Sequence, residues 1–312
     1  MGPSGPACGR ERAVMTEFLQ LCFAGLAVGA QYALVALGFV VIYRATAVIN
    51  FAQGGFVLLG AYLAFNFHQT WGLPFWVAVV MAMAAGALIG MLVEALVLRR
   101  MVGQPPFAVI MVTIGILFII EPIIPTIWGF EQQNLGDPWG LRTVDAGDVI
   151  LRIRDLWTIG LAAVVLGGFF AFFRFSKMGV AMRATALDQE AALAQGISAR
   201  RVFAVSWGIA GAVAALAGVT LASGPAAVEP SISFVALAAF PAMILGGLDS
   251  PGGAVIGGIV IGVTQVLTSG YQPEHAAFLG EGFPAVMPYV VMVLILLVRP
   301  YGLFGTKEVQ RV

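Results

Sequence analysis

Charge is scarce in this 312-residue sequence. Asp, Glu, Lys and Arg make up 10% of it and hydrophobic residues 60%, whereas a soluble domain is about a quarter charged. This excludes an ordinary soluble enzyme. The 16 basic and 16 acidic residues cancel, leaving no basic surplus to hold nucleic acid. Cysteine is nearly absent: Cys8 and Cys22 lie near the N-terminus with no metal-like spacing, which argues against a disulfide framework and against a metal site. The two histidines, His68 and His275, fall in predicted loops. No G-x-x-x-x-G-K-[ST] loop is present, so the chain cannot cradle nucleotide phosphates itself. Asp137, Asp145 and Asp148 share the loop 129–155 but have no His or Cys near them, so a convergent catalytic set is missing.

Long apolar runs are abundant. A membrane-spanning helix needs about 20 apolar residues, and runs at 18–43, 50–67, 75–98, 107–128, 156–174, 202–222, 234–248, 252–270 and 285–299 qualify or come near. The 234–248 run is short and is joined to the next by the turn sequence GGLDSPGG, so one of the two is short enough to be a re-entrant half-helix. The predicted fold is an all-α polytopic bundle of eight or nine spans. Residues 1–17 read as an N-terminal extension, with Met15 a plausible true start, and 18–312 as one transmembrane domain. Arg44, Arg99, Arg100, Arg174, Lys177, Arg183, Arg200, Arg201, Arg299, Lys307 and Arg311 collect on one side, which is then cytoplasmic. With nine spans the N-terminus is outside.

The second run opens with INFAQGG, a polar start for a segment in lipid. Asn50 can cap the helix start. Gly54, Gly55 and Gly60 admit close helix packing, as do Gly252 and Gly253 in PGGAVIGG, a partial echo of QGGFVLLG. In the alternative reading, Asn50 and Gln53 line an inner gate, joined by Thr113 from within the fourth run, because polar groups at membrane depth are tolerated facing protein or water. Glu94, near Arg99 at the cytoplasmic boundary, reads as a snorkelling ion pair. Glu121 reads as wet at the outer end.

The cytoplasmic loop 175–201 is unusually long. An Ala-rich helix is predicted from Val180 to Gln195 and stopped by Gly196. Met182, Ala186, Ala192 and Leu193 can share its apolar strip.

Within this loop EAALAQG resembles the EAA-x3-G coupling loop of ABC-importer permeases, although the Ile-x-Leu-Pro that normally follows is replaced around Ser206, Gly208 and Ile209. GAQYALVALGFVVIYRATAVINFAQGGFVLLGAY, VTIGI, GVAMRATALDQEAALAQGI, FPAMILGGLDSPGGAVIGG and LVRPYGLFG resemble, in order, the H-type permease of branched-chain amino acid importers, the Liv family. That family typically has His where Gln53 stands. The resemblance implies a multi-pass permease subunit in a bacterial inner membrane. It also implies ATPase coupling through Arg183, Glu190, Ala191, Ala192 and Gly196. The expected partners are a second, M-type permease, two cytoplasmic ATPases that bind the ATP, and an extracytoplasmic binding protein, with no cofactor or metal in this chain. An ion-coupled secondary transporter of small polar solutes is the alternative, but such carriers tend to hold ionisable residues well inside the membrane, and here only Glu94 and Glu121 lie within runs, both near ends.

Overall fold

Close approach between helices organises the bundle, and small residues permit it. In a computed structural model of the chain, residues 6–129, 131–140, 142–147, 149–223 and 227–305 are described. Residues 1–5 of the expected extension, and Lys307 and Arg311 of the basic set, lie outside them. α1 (Pro6–Thr46) runs antiparallel to α10 (Pro251–His275). A Cβ added at Gly25 or Gly29 would stand 2.7 Å from the backbone of Val263 or Ile259, and one added at Gly258 would stand 2.5 Å from Ala33 N. No side chain fits there. In lipid, helix association rests on such packing rather than on expulsion of water.

α8 (Ala199–Ala222) fills the centre. It packs on α2 (Gln53–Phe65), where Gly60 meets Ala215, and on α3 (Phe75–Leu96), where Gly86 meets Gly211. α1 and α8 are buried along most of their apolar length. α3, α4 (Pro106–Trp128) and α5 (Ile153–Phe175) turn apolar side chains outward.

Every expected span coincides with a helix. Among the described residues, six helices are long and apolar enough to cross a membrane. α9 (Val235–Gly246) has only 12 residues, the half-helix the sequence allowed, and α11 (Phe283–Val298) has 16. α2 departs from expectation, with 13 residues followed by one π turn, Asn66–Thr70. It does not begin flush with the end of α1. Gln53 lies against Gly38, about two turns back from Thr46, or roughly 12 Å at 1.5 Å per residue. The segment 47–52 therefore folds back into the bundle. PGGAVIGG opens α10 elsewhere, with Pro251 beside Arg44 at the basic end, so the echo is one of sequence and not of position. Among the described residues nothing lies within 4 Å of a Cβ at Gly252, so it packs against no helix of this chain there; Gly253 meets Gly246 O, Gly54 meets Ser233 O and Gly55 meets Leu117 and Ile120.

The end opposite the basic one carries the loop 129–155, where β1 (Thr143–Ala146) and β2 (Val149–Arg152) form an antiparallel hairpin. This interrupts an otherwise helical chain. Trp76, Trp139 and Trp157 cluster beneath it. His68 holds Leu73 O there.

Candidate functional site

The fold-back after α1 determines the site. Ala47 leaves the helix in the left-handed region, at φ 55°, a conformation that costs a non-glycine residue about 1–2 kcal/mol. Three N–H groups at the end of the fold-back, those of Phe51, Ala52 and Gln53, are each paired inside the protein. Phe51 N donates to Thr113 Oγ1 at 3.1 Å, Ala52 N donates to Asn50 Oδ1 at 3.0 Å, and Gln53 N donates to Asn50 O at 3.3 Å. Such pairing is what lets non-helical backbone lie at this depth. The expected cap is thereby corrected. The N-cap of α2 is Ala52, without a side-chain bond, and Asn50 acts two residues earlier by closing the turn. Thr113 donates in its turn to Ile110 O at 2.8 Å.

Beside this turn lies a cavity of about 310 Å³, walled by residues 46–50, Glu94, residues 101–104, Thr113, Gln189, Phe203 and Trp207. Of the three expected pathway residues, the structure brings two to it, Asn50 and Thr113. Gln53 stands behind Asn50, fully buried. Its Oε1 accepts from Asn50 Nδ2 at 3.4 Å, while its Nε2 has no partner among the described residues and lies where a side chain on Gly38 would be.

Glu94 is the residue the sequence reading undervalued. It pairs with Arg99 as expected, Arg99 Nη2 to Oε2 at 2.7 Å and Nε to Oε1 at 3.3 Å. Yet its side chain is 1% exposed and lines the cavity, while that of Arg99 is 39% exposed. The signal was present in the sequence: a carboxylate one turn inside an apolar run. Glu121 is also not simply wet, since it accepts from Ser233 Oγ at 2.7 Å.

The loop 175–201 forms two helices instead of one. α6 (Lys177–Leu187) is capped by Ser176, whose Oγ accepts from Gly179 N at 2.8 Å. α7 (Gln189–Ala194) is capped by Asp188, whose Oδ1 accepts from Ala191 N at 2.9 Å. Asp188 is a better cap than helix interior, and this breaks the predicted run. Gly196 is the predicted stop, at φ 81°, with Gly196 N bonded to Leu193 O and Ile197 N to Ala192 O, the paired bonds of a Schellman ending. The break redirects the apolar strip. Met182 and Ala192 are buried, but Leu193 is 50% and Leu187 85% exposed. Glu190 and Ala191 are exposed. Arg183 is turned inward, donating to Phe173 O and Arg174 O at the C-terminal end of α5, where the orphan carbonyls of a helix favour a cation. Gln189, first residue of α7, reaches the cavity wall.

A bundle of apolar helices with an interrupted polar interior defines a multi-pass membrane protein. The chain belongs to the family of permease components of the branched-chain amino acid transport system, whose model matches residues 21–299. It is 30% identical over 310 residues to the high-affinity branched-chain amino acid transport system permease protein LivH of Escherichia coli, covering 95% of this chain and 98% of that one. It is 28% identical over 309 residues to the corresponding protein BraD of Pseudomonas aeruginosa, covering 95% and 98%. A solved structure, PsaBC from Streptococcus pneumoniae in complex with Fab, aligns over 89% of this chain and 90% of that one at 18% identity and a TM-score of 0.47. LivH and BraD are permease proteins of transport systems, and the present chain is a permease component and not an enzyme.

Proposed function

We propose that this chain is one of two permeases in an ATP-driven importer of branched-chain amino acids, seated in a bacterial inner membrane with its basic end in the cytoplasm. The second permease is of the M type. Two cytoplasmic ATPases bind below the permease pair, one of them seated on the loop 175–201, and an extracytoplasmic binding protein delivers substrate. The observation that carries this reading is Gln189. It belongs to α7 and also walls the cavity that Asn50 and Thr113 border. Movement of α7 by the ATPases is thereby transmitted to the polar turn, and rocking of packed helices opens or closes the cavity. Asn50 and Thr113 line the cytoplasmic end of the route; Gln53 supports Asn50 from behind. Leu187 and Leu193, exposed beside Glu190 and Ala191, form the docking surface.

The test is reconstitution of the four kinds of subunit in proteoliposomes. Leucine uptake should require ATP and the binding protein. Leu187→Asp, on a side chain 85% exposed, should leave the permease pair assembled while the ATPases no longer copurify and uptake is lost. Uptake that follows a proton gradient without ATP, or full coupling in Leu187→Asp, would overturn the reading.

A further inference from the structure

The Glu94–Arg99 pair is placed unlike a surface salt bridge. The carboxylate is buried at the cavity wall, and the guanidinium reaches it from the solvent side. Taking a charge out of water is expensive, and an apolar pair of similar volume often stabilises as well or better. Stability alone therefore gives little reason for a carboxylate here. Arg99 is its sole hydrogen-bond donor among the described residues. A carboxylate has about four lone-pair sites, so acceptor capacity remains on both oxygens. Around it the walls divide by chemistry: Asn50 and Thr113 are polar, whereas Ile42, Leu98, Phe203 and Trp207 are apolar or aromatic. The volume, about 310 Å³, lies at the small end of ligand pockets.

We infer that this cavity is a binding site for a small zwitterion with an apolar side chain, and that the Glu94–Arg99 pair opens to receive it. The ammonium group replaces Arg99 on Glu94, and the carboxylate takes the freed guanidinium. The exchange is neutral: one ion pair becomes two, and no charge is left unpaired. A ligand with an ammonium or a carboxylate alone satisfies one partner and strands the other. A side chain with its own charge would be buried unpaired against Phe203 and Leu98, at high cost. Arg99 is the mobile partner because it is the exposed one. The inference rests on the reading of the chain as an amino acid permease and adds the residues that would recognise the amino acid backbone.

The test uses the assembled complex in nanodiscs, with Cys8→Ser and Cys22→Ser and a reporter thiol from Gln104→Cys at the cavity rim. Leucine should slow labelling by a cationic methanethiosulfonate reagent. Isopentylamine, 4-methylpentanoate and lysine at the same concentration should not. Glu94→Gln should raise the leucine concentration for half-protection about tenfold or more, the scale of a lost charge-assisted hydrogen bond. Arg99→Gln should reverse the preference, because the unpaired Glu94 then accepts isopentylamine while leucine protects poorly. A fold disturbance does not create that new selectivity. No protection by leucine, equal protection in Glu94→Gln, or unchanged preference in Arg99→Gln would overturn the inference. Leucine uptake by the unmodified complex is measured alongside. If uptake occurs without protection, this inference alone fails; if the complete complex imports no leucine, the functional reading fails and takes it along.

Discussion

Replacing Gln53 by leucine should leave stability nearly unchanged, although it removes a polar residue from a polar turn. Nε2 of Gln53 is fully buried and without a partner among the described residues. An unsatisfied buried donor costs about 1–3 kcal/mol. Leucine removes that penalty and keeps much of the volume. Against this stands the bond from Asn50 Nδ2 to Gln53 Oε1, 3.4 Å long; a normal hydrogen bond contributes about 0.5–1.5 kcal/mol and a long one the lower part of that range. Asn50 is itself fully buried, so its Nδ2 loses its partner just as Gln53 Nε2 is removed. One orphaned donor replaces another, so the balance is roughly −1 to +1 kcal/mol, a shift of no more than about 3 °C in the unfolding midpoint. Thermal unfolding of the purified permease pair, followed by size exclusion, reads it directly, with leucine uptake measured in parallel. Uptake should fall by no more than a few-fold. A midpoint lowered by more than about 3 °C together with abolished uptake would refute the reasoning, because the amide would then have a partner during transport and Gln53 would return to the pathway.

The packing glycines divide into two kinds. Gly60→Val would push a side chain against the Ala215 backbone, since even a Cβ would stand 2.2 Å from Ala215 Cα, and overpacking of about 1–3 kcal/mol or more should show as reduced assembled protein. Gly252→Ala meets open space and should leave assembly unchanged or gain about 0.5–1 kcal/mol through helix propensity. The orientation is checked by single cysteines in place of Ala184, on α6, and Ala276, just beyond α10. They should label from opposite faces of the membrane, the first only after permeabilisation.

The positions of the helices were readable because apolar run length is a local property, and lipid demands it of every span. The stop at Gly196 was readable for the same reason: a left-handed residue after an Ala-rich stretch is a local signal. So, in principle, was the break at Asp188, because Asp is a local cap signal. Family membership was likewise carried by motifs in their order along the chain. The depth of the polar turn was not readable. Asn50 has the same sequence neighbours whether it lies at the membrane surface or two turns inside, and only the contact of Gln53 with Gly38 and the bond from Phe51 to Thr113 decide between these. The role of Gly252 also depended on what lay opposite, and no described residue does. The sequence determined which residues are polar within an apolar chain. The tertiary structure alone decided that Asn50, Thr113, Glu94 and Gln189, contributed by four separate segments, wall one cavity, because that convergence depends on helix packing between residues far apart in the chain.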